Sequence, residues 1–297
     1  MAIFSNLAKK LLNNEDPYFT AVVVALAGTL GYLAYKEYKV RKNINGDMTP
    51  FDEDITEGPS GPGLKLQEPG ADFVDPFSLP HVPMNFKRLS EAEMLQRSRE
   101  FYEHLNKRRT VRMFSSDPVP IEVIRECVKA AGTAPSGAHT EPWTFAIVSD
   151  PVVKHKLREI IEAEEKINYE KRMSRQWVSD LAPLGTDWHK EYLDTAPYLI
   201  VVLKQTYGIT DNGERKNHYY FEHSVAISQG LLISAIHNAG LATLTSTPMN
   251  CGPQICKLLG RPANEKVSLL LPVGYPANNA TIPNLHRKPY EQIAVEY

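Results

Sequence analysis

The sequence predicts an α+β domain, a sheet flanked by helices, preceded by a membrane-spanning helix and a flexible tether. Three observations lead there. Stretches with apolar residues at helical spacing interleave with short, wholly apolar runs, so helices and strands share one folded region. They interleave without strict βαβ regularity, so an α+β arrangement is expected rather than a doubly wound one. Apolar residues make up 42% of the 297 positions, enough for a core, and a net charge of −2 offers no global field to recruit nucleic acid.

Residues 1–16 form a short N-terminal segment. Pro17 to Tyr35 then runs without a charge. As a helix it would span roughly 28 Å, about one hydrocarbon core. Lys36, Lys39, Arg41 and Lys42 follow against Glu37 alone, whereas Lys9 and Lys10 upstream are offset by Glu15 and Asp16. The heavier basic flank lies C-terminal, which places the bulk of the chain in the cytoplasm, on a plasma or vesicle membrane. A cleaved signal peptide would carry its charges on the other side of a shorter apolar run. The sequon Asn279-Ala280-Thr281 would matter only in a lumen. Residues 36–81 are read as a basic flank and acidic linker: positions 43–80 hold eight acidic residues against the single Lys65, with six prolines. Such a composition buries too little apolar surface to order itself.

The catalytic domain is placed at 82–297. Ser90-Glu91-Ala92-Glu93 is a capping box, with Leu89 and Met94 spaced as a hydrophobic staple. The helix it starts reaches Asn106, with Met94, Phe101 and Leu105 on one stripe. Pro120 opens a second helix carrying Ile121, Ile124, Val128 and Ala131. Trp143–Val148 reads as a buried strand. Asp150-Pro151 begins a long helix containing Val153, Leu157, Ile160, Ile161 and Ile167. Tyr198–Leu203 is another apolar strand. Phe221–Ala239 is helical, with Gly240 as its stop. Strands are expected at Leu241–Ser246 and Val267–Val273, separated by a short helix after Asn250. The tail from Ala280 is expected to lie over a surface. No internal repeat is visible.

Two segments concentrate chemistry. Lys107-Arg108-Arg109-Thr110-Val111-Arg112 packs fixed positive charge around a hydroxyl, a geometry that suits phosphate oxygens, although a basic helix end has the same composition. Thr133-Ala134-Pro135-Ser136-Gly137-Ala138-His139-Thr140-Glu141-Pro142 is a small-residue turn whose backbone can approach a ligand. Thr245-Ser246-Thr247-Pro248 is a hydroxyl-rich strand exit, able to donate to a heteroaromatic nitrogen or simply to turn. Arg287 sits in a polar tail segment. Cys127, Cys251 and Cys256 form no CxxC pair and no even framework, which reads as reduced, buried thiols. His218, His223 and His237 lack zinc spacing, so no metal is expected. Neither a G-x-G-x-x-G after a strand nor a P-loop is present.

In this order, with KEYLDTAP (190–197), LLGRPANEK (258–266) and LPVGYP (271–276), these segments resemble the flavin-dependent nitroreductase superfamily over roughly residues 82–296. Within it the chain is similar to the members that remove iodide reductively from mono- and diiodotyrosine. The resemblance implies bound FMN and an interlocked homodimer whose sites use residues of both subunits. Arg108, Arg109 and Thr110, with Val111 between them and Arg112, would hold the flavin phosphate and ribityl end, joined by Arg287. Arg112 would stand near N1 and O2. Pro135 and Ser136 would pack against the ring. Thr245, Ser246 and Thr247 would line its edge, with Thr247 bonded to N5 as the catalytic hydroxyl. Relatives commonly have Ser at the position of Thr110 and Thr at that of Ser246; both hydroxyls survive here. The Ala138 N–H would meet the halophenolate oxygen. Glu165 would take the substrate ammonium, and Tyr169 with Lys190 its carboxylate; the alternative for Glu164-Glu165-Lys166 is a solvated face. Electrons would come from NADPH or a reductase partner. Competing functions are nitro or quinone reduction on the same fold, and a membrane-tethered accessory role without catalysis.

Overall fold

The apolar run Leu199–Leu203 lies at the centre of the molecule. It belongs to β2 (Tyr198–Gln205), and all five of its residues are fully buried. β2 pairs antiparallel with β1 (Trp143–Val148) on one side and β6 (Glu265–Gly274) on the other. The short β5 (Ala242–Thr243) completes a sheet of order β1-β2-β6-β5. The structure, a computed structural model, describes residues 81–297. The segments expected at 1–16 and 17–35, and the linker through residue 80, lie outside the described residues. Among the described residues no helix is long and apolar enough to cross a membrane. Met84–Tyr297 pack as one unit.

Side chains alternate between the faces of a strand, and β2 feeds two cores in this way. Leu199, Val201 and Leu203 meet Leu157 and Ile161 of α3 (Pro151–Ile167), Leu193 of α5 (Tyr192–Thr195) and Ile255 of α7 (Gly252–Leu258). Ile200 and Val202 meet Ile124, Cys127 and Ala131 of α2 (Ile121–Gly132) and Val225, Leu232 and Ile236 of α6 (Phe221–Asn238). Helices therefore cover both faces of an antiparallel sheet, which is why β2 lacks the polar alternation of a half-solvated strand. Each such buried Leu or Ile stabilises the fold by about 1.5–3 kcal/mol. The β2–β6 register jumps between Val202↔Leu269 and Leu203↔Val267. Ser268 is left as a bulge, and its hydroxyl accepts a bond of 2.7 Å from Gln229 on α6.

Several helix starts follow the sequence signals. On α1 (Glu91–Asn106) the Ser90 hydroxyl accepts from the Glu93 N–H and the Glu93 carboxylate accepts from the Ser90 N–H, both at 3.3 Å. On α3, Asp150 Oδ1 accepts from Val152 and Val153 N–H at 2.8 and 2.9 Å. One turn further, buried Lys154 donates to the carbonyls of Asp194 and Ala196 at 2.9 and 2.7 Å, tying α3 to the entry of β2.

Three features go beyond or depart from the sequence reading. The apolar stripe of α1 is uncovered in this chain: Met94 and Phe101 are 51% and 62% exposed, and no α1 residue is buried. Amphipathic spacing reports a sticky face but not what covers it. The strand expected at Leu241–Ser246 is broken. Only Ala242–Thr243 is regular; the ladder skips Leu244 and Thr245 and resumes at Ser246, which exchanges N–H···O bonds of 2.9 and 2.8 Å with Leu270. A hairpin not expected from apolar patterning, β3 (Tyr207–Ile209) with β4 (Arg215–Asn217), projects beyond β2. Its strands are mostly exposed, so no hydrophobic alternation marks them. The signal present was Asp211-Asn212-Gly213, with Gly213 at φ +80° and its N–H bonded to the Thr210 carbonyl at 2.9 Å.

Candidate active site

The break in β5 opens a place for a ligand. Thr110 bridges Thr243 in parallel, with the Val111 N–H donating to the Thr243 carbonyl at 3.3 Å, so the arginine segment lies along the sheet edge. A cavity of about 370 Å³ follows, lined by Leu105, Arg108 and Thr110, by Gly230, Ile233 and Ser234 of α6, by Thr243, Leu244 and Thr245, and by Arg287. Four residues singled out in the sequence thus converge: Arg108, Thr110, Thr245 and Arg287. Arg287 comes from the C-terminal tail. It donates to Asn106 O and Oδ1 at 3.0 and 3.1 Å and to the Arg108 carbonyl at 2.8 Å.

Among the described residues that line this cavity there is no carboxylate. Arg287 uses only neutral acceptors, and Arg109 donates to the Pro283 carbonyl. Burial, and then the neighbouring guanidiniums of Arg287 and Arg109, hold Arg108 below the ordinary arginine value. Guanidiniums crowded together without a carboxylate make a site for an anion with several oxygens. The residues present fit the phosphate of a mononucleotide. Thr245 lines the cavity, whereas Ser246 and Thr247 follow it in the chain and do not; the side chains of all three make no hydrogen bond to the described residues, so their hydroxyls remain available as donors.

Other candidates stand elsewhere. Val111 is 7% exposed and its side chain packs in the core. Arg109 is turned to the tail, away from the cavity wall. Pro135, Ser136 and Ala138 lie on a separate turn that does not line this cavity. There Gly137 donates to Ser224 Oγ at 3.3 Å, the Ser136 hydroxyl accepts from Glu141 N–H at 2.9 Å, and the Ser136 carbonyl accepts from His139 N–H at 3.1 Å. Ala138, His139 and Glu141 have φ of 50°, 53° and 45°, three side-chain-bearing residues in left-handed backbone within four positions. Such strain is held only where surrounding structure enforces it. A Cβ on Gly137 would lie 2.5 Å from the Tyr219 carbonyl oxygen, so the turn is pressed against the start of α6.

The substrate candidates do converge. α3 ends in a π turn, Asn168–Arg172, closed by a 2.8 Å bond from Met173 N–H to the Asn168 carbonyl. It carries Tyr169 one turn past Glu165. The chain then makes α4 (Arg175–Leu181), capped by Ser174 through a 3.1 Å bond from Trp177 N–H, and returns to Lys190. Lys190 is 6% exposed, with its Nζ 5.8 Å from the Tyr169 ring centroid and donating to the Asp187 carbonyl. Burial pulls its ammonium below the usual value; Glu165 and Asp187 oppose this and Arg112 adds to it. Burial and then Glu165 push the Tyr169 phenol up, and burial pushes that of Tyr192 up further, with Arg112 opposing both. The charge of Arg112, at the end of the arginine segment, is thus felt at Tyr169, Lys190 and Tyr192. The backbone of Lys190 is fixed by Glu162, which accepts its N–H at 2.6 Å and Arg158 Nε at 2.8 Å; Arg158 is also paired with Asp194 at 2.9 Å.

The nitroreductase family profile matches residues 105–275. The chain belongs to the nitroreductase family. It is 52% identical over 281 residues to mouse iodotyrosine deiodinase 1, covering 93% of this chain and 98% of that protein. It is 50% identical over 301 residues to zebrafish iodotyrosine deiodinase, covering 99% of each. Among solved structures, an oxidized iodotyrosine deiodinase bound to FMN and 3-iodo-L-tyrosine matches with TM-score 0.58 and 31% identity over 66% of this chain and 98% of the other.

In this nitroreductase-family chain, sequence reasoning missed Gly230, Ile233 and Ser234 of the cavity wall, which read as ordinary residues of an apolar helix. A glycine inside that helix was the available signal. Glu162, Asn168 and Thr186, which touch the substrate candidates, carry no motif. Two of the decoy histidines prove structural: His218 Nδ1 lies 3.0 Å from the Gln205 carbonyl and His237 Nε2 2.8 Å from that of His104. Cys127 and Cys251 are buried and Cys256 half-buried, all three free. Burial pushes each thiol up, that of Cys251 to about 12.

Proposed function

We propose that this chain is an FMN-dependent reductive dehalogenase that converts mono- and diiodotyrosine to tyrosine and iodide. One observation carries the reading: a cavity lined by Arg108 and Arg287, with no carboxylate among the described residues that line it, in a chain that also gathers Glu165, Tyr169 and Lys190 into a cluster suited to an amino-acid zwitterion. The near full-length identity to iodotyrosine deiodinases supports it.

Arg108, Thr110 and Arg287 would hold FMN at its phosphate and ribityl end, with Arg112 and the hydroxyls of Thr245, Ser246 and Thr247 at the ring. Bound FMN supplies the two electrons that, with one proton, replace each carbon–iodine bond by carbon–hydrogen and release iodide. Arg112 would place fixed positive charge where negative charge accumulates, and such preorganised charge is a major source of rate enhancement. Glu165 would accept the substrate ammonium, while Tyr169 and Lys190 would donate to its carboxylate. Burial keeps the Tyr169 phenol protonated and therefore a donor. The Ala138 N–H would meet the phenolate oxygen. The segment from the π turn to Lys190 would cover the amino-acid end and exclude water.

The same reading includes a homodimer. Exposed Phe101 and Tyr102 on α1, Ile227 and Leu231 on α6, and Ile293 and Val295 in the tail support it, since a single chain leaves them in water. It also includes a membrane tether at 17–35 with the catalytic domain cytoplasmic, supported by the flanking charges, and electrons from NADPH or a reductase partner. Glycosidase sensitivity of the cellular protein at Asn279 would overturn that orientation.

The experiment is anaerobic reoxidation of the reduced holoenzyme by diiodotyrosine, with iodide counted. Iodide should appear in step with flavin oxidation. Reoxidation without iodide would mark a nitro or quinone reductase, and a colourless protein that takes up no FMN would mark a non-catalytic one.

A further inference from the structure

Asn168 is wholly buried where α3 ends, yet it is polar and lies between the two halves of the site. Its Nδ2 donates to Glu165 Oε1 at 3.3 Å. Its Oδ1 accepts from Arg172 at 2.9 Å and from Asn250 Nδ2 at 3.3 Å. The orientation of this amide is forced at both ends, because a guanidinium can only donate and a carboxylate can only accept. Arg172 is itself held by Glu164 at 2.8 Å. Asn250, at φ +65°, lies three residues beyond Thr247 in the loop that carries the hydroxyl candidates. Asparagine is among the few residues that adopt this backbone readily. A continuous chain of bonds therefore runs from Glu165 through Asn168 to Asn250. Aspartate at 168 would lack the donor for Glu165, and an apolar residue would take a partner from half-buried Glu165 and from Arg172 and break the link to Asn250.

We propose that Asn168 is a positioning residue: it fixes the Glu165 carboxylate for the substrate ammonium and ties that carboxylate to the 245–250 loop. By occupying Oε1 it leaves Oε2 of Glu165, which bonds to no described residue, for the incoming cation. The inference rests on the reading of Glu165 as the ammonium ligand.

The test uses holoenzyme and equilibrium quenching of flavin fluorescence by 3-iodotyrosine and by 2-iodophenol, which has no ammonium. Four proteins are compared: unmodified, Asn168→Asp, Glu165→Gln and the double variant. Asn168→Asp keeps an acceptor for Arg172 and Asn250, but replaces the donor to Glu165 by a second carboxylate that repels it. It should weaken 3-iodotyrosine at least about tenfold, the loss of one hydrogen bond to a charged group with like-charge repulsion added, while 2-iodophenol and FMN affinities hold. In the Glu165→Gln background the same change should add nothing, because the two residues act as one unit. Equal losses in both backgrounds, or an equal loss for 2-iodophenol, overturn the inference alone. Glu165→Gln that leaves 3-iodotyrosine binding intact brings down the substrate reading and this inference with it. Should Asn168→Asp fail to fold, Asn250→Gly keeps the left-handed backbone and deletes the amide. It should weaken 3-iodotyrosine by at least about twofold with 2-iodophenol unchanged, and unaltered 3-iodotyrosine affinity overturns the link.

Discussion

Replacing Arg287 by alanine tests the anion cavity most directly. Three bonds, at 3.0, 3.1 and 2.8 Å, hold its guanidinium against Asn106 and Arg108 while its charge adds to that of Arg108. Those acceptors are neutral, so the alanine variant loses aim at the α1 end and one charge at the cavity. A charge-assisted hydrogen bond contributes about 1.5–3 kcal/mol. Arg287 is exposed and its charge is screened by salt, so the lower end applies, about tenfold in FMN affinity. The assay is titration of apoprotein with FMN, followed by flavin fluorescence, with riboflavin titrated in parallel. Riboflavin carries no phosphate, so its affinity should be insensitive to the substitution. Arg287→Lys should fall between, retaining the charge but not the planar fork. The difference between the unmodified protein and the alanine variant should shrink at high salt. Unchanged FMN affinity, or equal losses for FMN and riboflavin, would refute the placement of the phosphate beside these arginines.

Three further outcomes follow from geometry already described. Glu265 is buried, and burial alone would raise its pKa; the bonds from Arg261 at 2.6 and 3.0 Å and from Thr144 at 2.6 Å outweigh this and hold it below the usual carboxylate range. A depressed carboxyl contributes stability that is present above its unfolded pKa and lost as pH falls through its folded one. Glu265→Gln should therefore lower Tm at neutral pH, and the gap to the unmodified protein should close as pH drops below about 4; a gap independent of pH would contradict the linkage. Leu271→Ala, deep between β6 and its covering helices, should cost about 2–5 kcal/mol in urea unfolding with the slope unchanged. Gly137→Ala would set a Cβ 2.5 Å from the Tyr219 carbonyl oxygen, backbone against backbone. It should weaken 3-iodotyrosine binding through displacement of the Ala138 N–H, and full retention of binding would remove that N–H from the site.

What could be read from the chain alone divides along a physical line. Features written in neighbouring residues were legible: the Ser90–Glu93 box, the Asp150 cap, the apolar β2 and the Arg108–Arg112 charge cluster. The convergence of Arg108, Thr110, Thr245 and Arg287 was legible only through resemblance, because residues 179 positions apart give no local signal of contact. The skipped ladder at Leu244-Thr245 was hidden for the opposite reason. Its residues suit a strand, and such local preference is readily set aside by tertiary context. Asn168 was invisible because a buried asparagine at a helix end looks like any cap until its three partners are known. The exposed α1 stripe shows the remaining gap, since periodicity identifies a face to be covered and is silent on the cover.

The sulfur chemistry of the chain has a practical side. Alkylation proceeds through the thiolate; Cys127 and Cys251 are buried, Cys256 is half-buried, and burial raises all three thiols. Maleimide reagents should react with them slowly. A cysteine introduced at Arg175, on the outward start of α4, would then be a unique attachment point for a fluorophore. Movement of that helix could be watched in the otherwise unaltered polypeptide, with no need to strip out the natural sulfurs first.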